Sequence, residues 1–393
     1  MPRRSRQPLP HGFGALWTTV AIDLVGFGVV LPILPLYAER FGASPATTGL
    51  LVASFSLAQL VFAPVWGRVS DRIGRKPVLV VSLCGTAVGS LMTGLAGSLW
   101  VLFAGRILDG ISGASVSVAQ AAVADIAPVE DRPRLLGLLS AAFGVGFVVG
   151  PALGGLAALG GAKVPFLVAA AIAAVNAVVA LVRLPETRTE SPVPHPIAEA
   201  VESGRRSRPL ARLVVVGFIT YVAFSGFEAT FALLGADRLD LDEASIGAVF
   251  AVIGIFHVLV QVRALARVTA RLGEVRTLRA GLHANAAGLT LIAVDGGWLT
   301  MVPALALITA GTGLVVPNLA STVAGLAHVE RRGAALGVQQ SAGALGRVAG
   351  PVLAGVLFEH VGVPSPYLGA AVLTMLAASL VPSPDVLDKA PSL

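Results

Sequence analysis

The chain has 393 residues, 55% of them hydrophobic and only 13% charged, with a mean hydropathy of +0.83. No soluble domain carries that much apolar surface, so the composition specifies an integral membrane protein. The basic balance, a formal net charge of +6 and a pI near 10.2, is spread over short loops between apolar runs, which fits membrane topology and anionic headgroups rather than nucleic acid.

The N-terminal stretch Met1 to His11 is basic but lacks a small-residue cleavage site after a short apolar core, so no cleaved signal peptide is expected. Twelve apolar spans follow, at about 13–37, 46–66, 77–97, 99–123, 135–158, 164–184, 210–234, 245–266, 277–294, 299–325, 333–358 and 366–382. With both termini placed in the cytoplasm, inner segments hold 23 of the 28 Lys and Arg; Arg40, Lys163 and Arg238 lie outside, Arg106 and Arg347 within spans (28 − 3 − 2 = 23). That asymmetry fixes the expected orientation. The reading is an all-α membrane protein divided as 1–184, a cytoplasmic linker 185–209 with five prolines, and 210–393.

An ionisable group inside a span costs roughly 2.5–3.5 kcal/mol on insertion scales and so needs a reason. Asp23 is the first, about ten residues into the first helix and near the midplane. Pro32 and Pro35 beyond it remove backbone donors and bend the outer half of that helix. Asp23 is a candidate proton carrier, the alternative being a polar contact to a neighbouring helix.

Between the second and third spans lies Gly67-Arg68-Val69-Ser70-Asp71-Arg72-Ile73-Gly74-Arg75-Lys76-Pro77, short and densely basic. Asp71 is placed to meet a helix N-terminus; otherwise the cluster only sets topology. The lone cysteine, Cys84, falls inside the third span and excludes an intramolecular disulfide or a cysteine-based metal site.

Arg106 and Asp109 share one face of the fourth helix, either as a structural pair or as a pair that a proton or an anionic group unlocks. In the fifth helix Gly146, Gly150 and Gly154 recur every fourth residue, with Pro151 and Gly155 beside them, making a bare ridge for close helix approach. Glu228, nearer the outer face of the seventh helix, stands among Phe224, Phe227 and Phe231, a setting suited to an amphipathic or cationic ligand or, alternatively, to a water-exposed rim. His257 precedes Gln261 by one helical turn; a lone histidine here is more often a hydrogen-bonded core residue than a relay, and both readings stand open. Arg347, deep in the eleventh helix, needs an anionic partner that the sequence does not name.

The two halves repeat. Gly150-Pro151 recurs as Gly350-Pro351, and Gly67 to Gly74 recurs as Ala266 to Gly273, with Ala270 where the first copy has Asp71. Parallel half-repeats build one central site between two bundles.

Several stretches carry a resemblance. Gly67, Asp71, Arg72, Gly74 and Arg75 match the G-x-x-x-D-R-x-G-R-[RK] loop of the major facilitator superfamily, Arg106 its fourth-helix arginine, and Gly146 to Gly155 the G-x-x-x-G-P-x-x-G-G pattern of its antiporter branch. Over nearly the whole chain the sequence resembles bacterial tetracycline–proton antiporters. The resemblance implies twelve helices in two six-helix pseudo-repeats around a cavity lined mainly by helices 1, 4, 7 and 10. It also implies substrate and proton handling at Asp23 and conformational gating at Asp71 and Arg75, and His257 matches a family histidine. Two departures weaken the case for a metal-chelated substrate: where that family carries carboxylates in its third and ninth helices this chain has Gly89 and Asn285, so Asp109 and Glu228 are expected to supply the acidity.

No G-x-x-x-x-G-K-[ST] loop, catalytic-triad context or metal-ligand cluster occurs, so no enzyme, cofactor or metal is expected, only a proton gradient. The reading is a monomeric inner-membrane exporter of small amphipathic compounds. Its rivals are a proton-coupled importer, against which the fifth-helix glycines argue, and a transporter-like sensor.

Overall fold

A computed structural model describes residues 9–128, 131–188, 208–294, 296–327 and 332–383. Most of the expected linker, 189–207, lies outside the described residues, as do both chain ends. Every regular element among the described residues is helical.

The first apolar run is α1 (Phe13–Val30), broken over 31–33 and resumed as α2 (Leu34–Glu39), with Pro35 in the first turn of α2, where its missing N–H costs nothing. The bend expected from the two prolines is therefore a break. Next come α3 (Pro45–Ile73), with Ser44 capping the Thr47 N–H, and α4 (Arg75–Gly94). The fourth run, expected as one helix, is α5 (Leu99–Ser112) and α6 (Ser115–Ile126).

Its break at Gly113–Ala114 frees backbone groups at membrane depth, and side chains from neighbouring helices satisfy them. The Ser82 hydroxyl donates to the Ser112 carbonyl and accepts from the Ala114 N–H at 3.3 Å, and Gln59 donates to the Gly113 carbonyl at 3.0 Å.

After α7 (Arg132–Ala158) and α8 (Val164–Arg183), the second half comprises α9 (Arg208–Leu239), α10 (Glu243–Leu259), a π-turn at Val260–Ala264, α11 (Leu265–Leu272), α12 (Glu274–Ala293), α13 (Gly297–Leu326), α14 (Arg332–His360) and α15 (Ser365–Leu380). Among the described residues ten helical stretches are long and apolar enough to cross a membrane. The spans expected at 277–294 and 366–382 are α12 and α15, which fall outside that set. α12 opens with Glu274, Arg276 and Arg279, and α15 has only 16 residues.

Glycine decides how closely the helices approach. A Cβ on Gly150 would lie 2.6 Å from the Gly28 Cα, and one on Gly154 2.7 Å from the Val29 carbonyl oxygen, so α7 packs backbone to backbone on α1. Pro151 interrupts neither α7 nor its packing. Gly155 faces the other way, where a Cβ would stand 3.2 Å from Gly247 of α10.

α7 on α10 and α3 on α14 join the two halves. Their close contacts lie at the end remote from the Gly67–Arg75 loop. There Arg40 pairs with Glu243 at 2.6 Å, and the Ala46 N–H donates to Glu359 at 2.9 Å. Gly49 meets Pro351, and Gly254 meets Phe147. At the loop end Val61, Pro64 and Val65 of α3 are exposed, and α11 buries no residue.

Candidate functional site

The break in the fourth run positions the first group of polar residues. Because α6 restarts at Ser115, its hydroxyl points at α1 and donates to Asp23 Oδ2. One turn of α5 earlier, Arg106 and Asp109 form a buried pair at 2.8 Å, their side chains only 3% and 9% exposed. The guanidinium also lies 4.5 Å above the Phe55 ring, which itself stacks 5.4 Å from Phe27. Arg106 Nε has no hydrogen-bond partner. Asp23 and Asp109 feel each other's charge, so these residues form one electrostatic unit across α1, α5 and α6.

Gly89 belongs to the wall of that unit. A Cβ there would stand 2.9 Å from the Cβ and backbone N of Asp109. An acid at position 89 is therefore excluded by packing, and the carboxylate in that region comes from the facing helix instead. Asn285 has a different setting: it lies in the α12–α13 interface, 4% exposed, and donates to Thr312 Oγ1 at 2.9 Å. The structure does not bring it to Asp23, Arg106 or Glu228.

The second group sits on α9. Glu228 is 8% exposed and its Oε1 has no hydrogen-bond partner. Arg347 of α14 is close enough to act on it electrostatically and stacks 5.3 Å from the Tyr221 ring, two turns below Glu228. The contact the structure shows for Arg347 is thus the aromatic face of Tyr221, and among the described residues no ion pair joins it to Glu228. On neighbouring turns of α9, Phe227 and Phe231 cluster with Phe250 at 5.1, 5.5 and 6.3 Å inside the packed core of the second half, and Phe147 reaches Phe224 across the halves at 6.3 Å. The alternative of a water-exposed outer rim is not what the structure has, because Glu228 is buried.

The third group is His257 with Gln261, Nε2 to Nε2 at 2.9 Å, immediately before and within the π-turn. The His257 ring packs toward α13, where a Cβ on Gly313 would stand 3.7 Å from it. Insertions of this kind in a helix occur mainly at functional positions.

At the loop end, Arg75 organises the expected gating residues. Its Nη1 donates to Asp71 Oδ1 at 2.6 Å and to Ser70 at 2.7 Å, while Nε donates to Asp125 at 2.8 Å. Asp71 thus meets Arg75 rather than a helix N-terminus. Glu186 takes the N-terminal end of α4, accepting from the Arg75 N–H at 2.8 Å and the Lys76 N–H at 3.2 Å, with Thr187 and Arg188 adding two more. Partial burial pushes the Glu186 carboxyl up, but those four backbone donors outweigh it and hold the group below the usual carboxylate range.

Gly74 turns with φ +106°, and a side chain there would meet the Glu186 carboxylate. Arg72 is exposed, its carbonyl accepting from Arg188 at 2.7 Å. A Cβ on Gly67 would meet nothing within 4 Å, so Gly67 has no close neighbour in this state.

Asp125, Glu186, Ser115 and Tyr221 escaped the sequence reading. Asp125 and Glu186 could have been suspected as the acids nearest the cytoplasmic ends of the fourth and sixth spans. Ser115 and Tyr221 carry no such signal.

The Major Facilitator Superfamily profile matches residues 16–265 and 213–392. The chain is 35% identical over 349 residues to the class C tetracycline resistance protein of Escherichia coli, covering 86% of this chain and 88% of that protein. It is 28% identical to multidrug resistance protein 2 of Bacillus subtilis (strain 168), covering 94% of each. Among solved structures it resembles the human organic anion transporter MFSD10, with a TM-score of 0.70, 26% identity, and 94% of this chain and 99% of that one covered.

Proposed function

Since the chain belongs to the major facilitator superfamily and is a membrane transporter, we propose that it exports small amphipathic drugs or metabolites across the inner membrane in exchange for protons. The observation that carries the reading is a set of carboxylates at membrane depth without full compensation, Asp109 and Glu228 buried and Asp23 half-buried. Glu228 has an oxygen with no partner, Asp23 has only a serine hydroxyl, and Asp109 depends on Arg106. A buried acid of this kind holds a proton in one state and a cationic or polar substrate group in the other.

The tight end of the molecule lies opposite the basic Gly67–Arg75 loop. With that loop in the cytoplasm, the tight opposite end supports an inward-open reading, in which substrate enters from the cytoplasm toward Glu228 on α9. Counting α1–α2, α5–α6 and α10–α11 each as one crossing, the ten long helices with α12 and α15 support a reading of twelve crossings, an even number that keeps both termini on one side; the basic loops favour the cytoplasm as that side. Proton entry releases about 2.3 kcal/mol per charge per 100 mV, enough to drive uphill export as the halves rock.

The relatives' tetracycline names do not transfer in detail. The region where α4 would carry an acid is filled by Asp109 of α5, and Asn285 is tied to Thr312, which favours amphipathic cations over a metal chelate. Everted vesicles test the direction: with an acidified interior they should accumulate a cationic amphipathic drug. Accumulation only when the interior is alkaline would mean import instead.

A further inference from the structure

Where α1 begins, α4 begins and α8 ends, the surface opens into a groove of about 630 Å³. Its polar lining is basic: His11, Lys76 and Arg183. Its floor is held by a tight fit, since Gly12 sits at φ +83° and a Cβ there would be 2.6 Å from Pro185 Cγ. Among the described residues no acidic side chain pairs with Lys76 or Arg183. The nearest acid in sequence, Glu186, is already engaged by four backbone N–H groups.

From Val182, 76% exposed, the outer face of α8 runs up through Val178 at 61% and Val175 at 63%, positions three and four residues apart and so on one stripe. Cations stand where three membrane-crossing helices end, and an uncovered apolar track leads from them toward the bilayer interior.

We propose that this groove binds an anionic phospholipid of the cytoplasmic leaflet, its phosphate between Lys76 and Arg183 and an acyl chain along Val182, Val178 and Val175. A free phosphate would satisfy the cations but leave the track uncovered, and a zwitterionic headgroup would bring its own cation. Basic pockets between helices at the cytoplasmic boundary recognise such headgroups by charge. Lys76 follows Arg75 directly, and the N–H groups of both rest on Glu186, so an occupied groove braces the start of α4 beside the gating loop.

The assignment rests on the cytoplasmic placement of these helix ends given above, but its test reads binding and not transport. Purified protein in detergent is titrated with phosphatidylglycerol, with phosphatidylcholine and with inorganic phosphate, and retained lipid is counted by native mass spectrometry. Phosphatidylglycerol should bind the wild type, phosphatidylcholine should not, and Lys76→Gln/Arg183→Gln should weaken retention roughly 30-fold, each surface cation being worth about fivefold. Val178→Asn/Val182→Asn should weaken phosphatidylglycerol and leave any phosphate effect unchanged.

Equal retention by wild type and the double charge variant would overturn the proposal. So would thermal protection by inorganic phosphate matching that by the lipid, which would make this a simple anion site. Should the double charge variant fail to fold, Lys76→Gln alone should show about a fivefold loss.

Discussion

The two halves share a scaffold and divide the chemistry. Leu24 of α1 packs on Gly146, and Tyr221 of α9 packs on Gly346, an offset of 197 (221 − 24). Gly28 meets Gly150 as Ser225 and Gly226 meet Gly350. Gly89 meets Asp109 as Gly288 meets Ile308. The backbone contacts are thus duplicated, while the ionisable groups are not. By the same offsets Asp23 corresponds to Thr220, Asp109 to Ile308, and Glu228 to Leu31.

The loops diverge in the same way. Arg75 ties together Asp71 and Asp125, whereas its counterpart Glu274 accepts one hydrogen bond from Ser321 at 2.7 Å, and Ala270 replaces the aspartate. On the proposed exchange mechanism, the duplicated packing serves the rocking of the two bundles, while a proton path needs only one set of acids.

The largest expected effect breaks the loop comparison. Arg75→Ala leaves Asp125, whose side chain is 9% exposed, without its cation and should cost about 3–5 kcal/mol of stability in detergent unfolding. Glu274→Ala should cost under about 1 kcal/mol, since it removes one exposed hydrogen bond. Equal losses would show that the loops do equivalent work.

Smaller effects are expected where the halves agree. Gly150→Ala and Gly350→Ala each insert a methyl group against backbone, and both should destabilise, by about 1–3 kcal/mol and to a similar degree. A third substitution sharpens the question of the missing acid: Gly89→Asp should destabilise by at least that much, by forcing α4 from α5 beside Asp109, and should not confer metal-dependent drug binding in calorimetry.

The smallest effect is on pH dependence. Because the Glu186 carboxyl is held below its usual value of 4.5, its contribution to stability is present above that pH and lost as pH falls through the depressed value. Glu186→Gln should flatten the acid limb of a melting-temperature profile and leave the neutral region nearly unchanged, because the group is mostly solvated.

Much of this arrangement was legible in the sequence. Hydropathy places the crossing segments, and the four-residue spacing of Gly146, Gly150 and Gly154 reveals the face that lies on α1. Asp23, Arg106, Asp109 and Glu228 stand out because charge is costly in a bilayer. The break at Gly113–Ala114 was not legible, because the donors that make it tolerable, Ser82 and Gln59, come from helices distant in sequence. With the break went Ser115, the one side chain that holds Asp23. Gly89 read as a lost acid because a sequence shows what is absent but not what fills the space. The π-turn after His257 leaves hydropathy unchanged and so left no trace.

The measurement that tests the central claim most directly is drug-induced proton release from the purified protein in weakly buffered detergent. Cationic amphipathic drugs should displace protons from the wild type, and Asp23→Asn or Glu228→Gln should reduce or abolish that release while the fold persists. Demonstrable drug binding with no proton released, or release unchanged in both variants, would contradict the exchange mechanism.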